Sequence, residues 1–170
     1  MTAARNAALV AIVGTAIVVQ AVVFRYVSVD GVVPNLALVV VVGAAIARGP
    51  QFGAVLGFTT GLLLDLAPPA DHVAGRWALA LVLVGYLAGL VRQDARRSPV
   101  AGVVLVGAAS FVATSLYAFS GLVLHDGALP VSQTLQVIGI SMLWDVMLAP
   151  VLLPALLWFL ARTSPARLAL

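Results

Sequence analysis

Polar residues are confined to short intervals of this chain, and between them lie six long apolar stretches. These run over residues 7–24, 32–47, 51–67, 77–91, 100–124 and 135–161. Each predicts a helix: a bilayer interior leaves no free backbone group satisfied, and the runs are too long for barrel strands. The stretches at 32–47 and 77–91 are short for a hydrocarbon core of about 30 Å, so they draw in flanking residues or sit where the bilayer thins. The last is long enough to tilt, and Pro150 and Pro154 predict a kink within it.

Composition turns this pattern into a fold class. Of 170 residues, 63% are hydrophobic and 9% charged, with a mean hydropathy of +1.16. A soluble domain of that size cannot hide so much apolar surface from water. The expectation is therefore an all-α, polytopic membrane helical bundle of six transmembrane helices, with residues 1–170 forming a single integral membrane domain. Its loops are ten residues or fewer, which leaves no soluble appendage. The first apolar run is too long for a typical signal-peptide core, and no mature soluble region follows Gly14-Thr15-Ala16, so it reads as a retained span. The chain has no cysteine, which excludes disulfides, thiolate catalysis and Cys-ligated metals.

Every cation is Arg and every anion is Asp. A pI near 10.2 suggests nucleic acid in a soluble protein, but nine Arg spread over six of the seven loops and ends speak instead for membrane orientation. One alternating set of ends and loops holds Arg5, Arg48, Arg92, Arg96, Arg97, Arg162 and Arg167; the other holds Arg25 and Arg76. This bias places both termini in the cytoplasm. No nucleic-acid partner is expected. Arg92, Arg96 and Arg97 form the firmest cytoplasmic anchor, suited to anionic lipid headgroups or to a partner's acidic tail. Asp30, Asp71, His72, His125 and Asp126 then fall outside.

Several constellations carry more specific expectations. Gly49, Gly53, Gly57 and Gly61 recur every four residues, making a stripe that lets another helix approach closely. The preceding span, ending Val42-Gly43-Ala44-Ala45, is the neighbour this predicts, and Gly85 with Gly89 is a smaller version. Internal packing and an interface for a different protein's helix both fit the spacing. Asp65 sits near a span end, as an interfacial charge, a partner contact or a cap on an adjacent helix. Asp145 falls mid-span, where a charge is costly unless paired, neutralised or watered. Ser110, Thr114, Ser115 and Tyr117 are its candidate donors; a ligand site or a partner's span are the other readings. Pro34-Asn35 opens the second span, with the Asn35 amide seeking an interhelical partner. His72 and His125, each beside an Asp, do not amount to a metal site. No catalytic motif stands out, so no enzymatic activity, cofactor or metal is expected.

Pro34-Asn35-Leu36-Ala37-Leu38, then Arg48-Gly49, then Gly53, Gly57-Phe58, Gly61-Leu62-Leu63 and Asp65, together resemble the rod shape-determining protein MreD family. The resemblance extends through Gly75 to Gly85-Tyr86-Leu87 and Gly89, and more faintly from Leu143-Trp144 to Pro154. It implies a non-catalytic scaffold of the bacterial cell-elongation complex, which builds lateral peptidoglycan. The implied partners are a bitopic MreC-like protein and, beyond it, a penicillin-binding protein, RodA and MreB. The implied fold is similar to that of the substrate-binding subunits of energy-coupling-factor transporters. Hence a competing expectation: a transporter subunit binding a small molecule in an outer pocket drawn from Asp65, Asp71, His72, His125 and Trp77.

Overall fold

The computed structural model describes residues 2–22, 24–67, 73–125 and 130–162. Its elements are helical: α1 (Thr2–Val22), a 3-10 turn (Phe24–Val27), α2 (Leu36–Arg48), α3 (Pro50–Leu66), α4 (Arg76–Leu90), α5 (Arg92–Arg97), α6 (Pro99–Val123) and α7 (Val131–Arg162). Two of them, α6 and α7, are long and apolar enough to cross a membrane; α2 and α4 are shorter apolar helices. Asp71, His72, Asp126 and Arg167, named above, lie outside the described residues.

Local chemistry explains most of the boundaries. The second helix starts at Leu36, later than the apolar run, because Asn35 is its N-cap: the side-chain Oδ1 accepts from Leu38 N at 3.0 Å. Pro34 therefore lies before the helix and not in its first turn. Upstream, Val29 and Val32 exchange backbone hydrogen bonds across a tight turn with Asp30 at φ 50° and Gly31 at φ 77°. Both central residues are left-handed, as an Asp-Gly turn favours. Between α2 and α3 a single residue, Gly49 at φ 100°, closes one helix and opens the next, with Pro50 in the first turn of α3. Ser98 is extended ahead of Pro99, which separates α6 from the one-and-a-half turns of α5. Hydropathy alone did not reveal α5, whose sequence is mostly polar. The seventh helix begins four residues before the apolar run at 135 and continues through Pro150 and Pro154 as one element.

The helix at the centre is α2. It touches α1, α3, α4, α5, α6 and α7, and ten of its thirteen residues are buried. Its sequence, LALVVVVGAAIA, is apolar on every face, as a helix surrounded on all sides requires. The outward faces of its neighbours are also apolar. Val55, Phe58 and Leu66 on α3, Leu79 and Leu90 on α4, Val104 and Phe119 on α6, and Leu143, Met147 and Val151 on α7 are all exposed.

The tightest contact is the antiparallel pair α3–α4. Gly53 faces the Gly85 carbonyl, Gly57 the Leu81 carbonyl, and Gly89 the backbone of Pro50. A Cβ at Gly61 would lie 2.5 Å from the backbone of Ala78. The stripe thus faces chiefly α4, not α2; the contact with α2 is lateral, where a Cβ on Gly53 would fall 2.6 Å from the Ala45 Cβ. Complementary small residues at the same spacing on α4 outweigh proximity in sequence.

Candidate functional site

Five of the arginines gather at one end of the bundle, at the C-termini of α2 and α7 and along α5: Arg48, Arg92, Arg96, Arg97 and Arg162. Not all serve as surface charge. Arg96 donates to the Ala47 carbonyl at 2.7 Å, satisfying an orphan acceptor at the end of α2. Arg92 lies against Gly49, Arg48 over the Phe52 ring and Arg162 over the Trp158 ring. Arg97 is exposed and 3.8 Å from an equally exposed Asp94, a pair worth little.

The opposite end is built from polar anchors. Asp65, 1% exposed at the end of α3, receives three backbone N–H groups at the start of α4: Trp77 to Oδ1 at 3.1 Å, and Gly75 and Ala78 to Oδ2 at 2.9 and 3.1 Å. Of the roles considered for Asp65, this geometry is the helix cap. A carboxylate there also meets the positive end of the α4 dipole. Next to it, Arg76 is buried. Its Nη2 donates to the Tyr117 carbonyl at 2.7 Å, its Nε to Ser120 Oγ at 3.2 Å, and the guanidinium lies 3.9 Å from the Tyr117 ring centroid. Trp77 stacks with the same ring, centroids 4.6 Å apart. Sequence reasoning counted Arg76 only as an outer-loop charge.

Deeper in, Asp145 of α7 is fully buried and its Oδ1 accepts from the Asn35 backbone N–H at 2.8 Å. Ser110 stands beside it, and Ser110 Oγ and Asp145 Oδ2 are both buried with no other hydrogen-bond partner among the described residues. Of the donors expected on α6, Ser110 is the one brought against Asp145. The firm hydrogen bond of Asp145 goes to the cap residue of α2, which no spacing in the sequence signalled. Asp145→Ala strands the Asn35 N–H and should destabilise the protein by about 1–3 kcal/mol, whereas Asp145→Asn keeps an acceptor and should cost far less. Thermal unfolding in detergent checks this, and equal loss in both variants refutes it.

Above these anchors a cavity of about 800 Å³ opens between α1, α4, α6, α7 and the segment before α2. Asn35, Thr114 and Ser141 lie at its inner end, Trp77 and Tyr117 on its wall, and Asp30 near the Asp-Gly turn. Of the residues expected to form an outer pocket, Trp77 lines it; Asp65 is spent on the cap and His125 is exposed at the end of α6. A second groove, about 610 Å³, lies between α1, α2 and α7 and is apolar apart from Thr15. Phe58 is half exposed on the face of α3 away from the glycines. Comparison with protein-family models, with curated proteins and with solved structures gives no match.

Proposed function

We propose that this chain is a multi-pass inner-membrane protein, six helices across the bilayer with both termini cytoplasmic. In this reading it serves as a non-catalytic scaffold of the bacterial cell-elongation machinery, of the MreD kind. It packs against a single-span MreC-like partner and through it joins the penicillin-binding protein, RodA and MreB. The observation that carries the reading is the distribution of side chains: large apolar residues cover the outside of α3, α4, α6 and α7, while Asp65, Arg76 and Asp145 are buried inside. Such an exterior suits a hydrocarbon solvent, in which ionisable groups must be satisfied internally. The arginine-rich end suits the cytoplasmic face and its anionic headgroups.

Because α4 occupies the glycine stripe, a partner helix must dock elsewhere. Val55, Phe58, Leu62 and Leu66 form an exposed stripe on the opposite side of α3, and Phe58 belongs to the segment that resembles the family. A photo-crosslinking residue in place of Phe58 should capture a single-span membrane protein in native membranes. The same residue in place of Val151 on α7 should not. Lipid adducts alone at Phe58 would refute the scaffold.

The cavity favours a second reading, a small-molecule-binding membrane subunit of an energy-coupling-factor-type transporter. Its volume is within the usual range of ligand sites, about 300–1,000 Å³. Stoichiometric ligand co-purifying with the chain and with an energising partner would select it over the scaffold.

A further inference from the structure

We propose that the 800 Å³ cavity is an aqueous site, open to the extracytoplasmic side, for a small polar molecule with a planar ring and no net charge. This deepens the second reading above and rests on its membrane orientation, though a scaffold protein can carry the same site. Depth is the first consideration. Ser141 stands ten residues beyond the first residue of α7, so the cavity reaches roughly 15 Å down the helix axis. Asn35, Thr114 and Ser141 are each more than nine-tenths buried and each line it. Amide and hydroxyl groups at that depth are poor neighbours for an acyl chain and good ones for water or a polar ligand. The apolar groove beside α1 shows the contrast: its lining gives a lipid tail all it needs.

Charge and shape narrow the class. Among the described residues, the charged ones lining the cavity are Asp30 and Arg76, one of each sign. Both are already engaged, Asp30 with Gln136 Nε2 at 2.7 Å and Arg76 with Tyr117 and Ser120. Those partners are neutral and leave both charges in place, but the two are of opposite sign, so the described lining carries no net charge to favour either sign of ligand. Among the described residues, groups left to recognise a guest include the hydroxyls of Ser115 and Ser141, the indole of Trp77 and the Gln20 Nε2, the Gln20 Oε1 already accepting from Ala37 N at 3.3 Å. Tyr117 has Arg76 and Trp77 packed against its ring, so the aromatic planes left to a ligand are Phe119 and the face of Trp77 turned away from Tyr117. Hydrogen-bonding groups beside an aromatic plane select a flat polar molecule.

The chain contains no cysteine, so a single introduced thiol reports without background. Ser141→Cys changes one atom at the inner end of the cavity; Leu143→Cys, 60% exposed in the native residue and at nearly the same depth, faces the outside of α7. In right-side-out membrane vesicles, sulfonatoethyl and trimethylammonioethyl methanethiosulfonate should modify Ser141→Cys more than about tenfold faster than Leu143→Cys, since fixed charge is excluded from hydrocarbon. The two reagents should react at similar rates; a preference beyond about tenfold for either sign would overturn the claim of no net charge. Nicotinamide, flat and neutral, should slow the reaction more than equal concentrations of glycerol or phosphate. Equal slowing by all three, or by none, overturns the assignment of a planar ligand. Absence of modification from either face overturns the aqueous site itself. Modification in inside-out vesicles alone supports the site and overturns the orientation on which the membrane reading depends.

Discussion

Gly57→Leu should prevent α3 and α4 from closing on each other, and little folded protein should survive extraction into detergent. A Cβ at this position meets the Leu81 carbonyl and peptide, backbone that cannot step aside as a side chain can. Overpacking a core ordinarily costs about 1–3 kcal/mol when neighbours yield, so a site bounded by backbone should reach at least the top of that range. Gly57→Ala should be intermediate, because even one methyl group needs the helices to separate. Gly139→Leu is the matched control: the site lies on α7 with nothing within 4 Å of the added carbon. Size-exclusion profiles and thermal melting of the three variants decide the matter. A Gly57→Leu protein as stable as the parent would show that the α3–α4 contact is not as close as described.

Asp65→Ala should be the most damaging single loss of a polar group. Three N–H donors at the start of α4 converge on that carboxylate, and alanine strands all of them at once. Each unsatisfied buried donor costs about 1–3 kcal/mol; two of these three are partly buried, so a total near 3 kcal/mol is expected. Asp65→Asn retains one carbonyl oxygen but surrenders the charge facing the helix dipole, and should lose roughly half as much. Melting temperatures in detergent would show the order parent, asparagine, alanine. If asparagine matches alanine, the charge rather than the acceptor count is what holds α4.

Much of this arrangement was legible in the residues. Apolar run length located α1, α2, α3, α4, α6 and α7 because burial or an apolar exterior leaves a compositional trace along each helix. Their ends were less accurate where a side chain, not hydropathy, sets the stop: Asn35 caps α2 four residues into an apolar run. The glycine spacing announced a close helix contact, but not with which helix. Register between α3 and α4 is fixed by Gly85 and Gly89, and their matching spacing was the available signal. Asp65 could be read as a cap because α4 begins eleven residues later. Asp145 could not be matched to Asn35, 110 residues away, since nothing local to either residue records the other. The cavity was least legible of all. It is a gap between helices, lined by residues from five stretches of chain, and of its expected members in the described residues only Trp77 lines it.

The enclosure of α2 has a consequence for biogenesis. At thirteen residues it measures about 20 Å, well short of the hydrocarbon thickness it would have to bridge alone. If the proposed membrane setting holds, α2 leaves the ribosome early and is sheltered from lipid only once the five later helices that touch it, α3 to α7, have followed. A chain truncated after α4 should therefore be held at the insertion machinery or degraded, whereas the full chain should insert and persist.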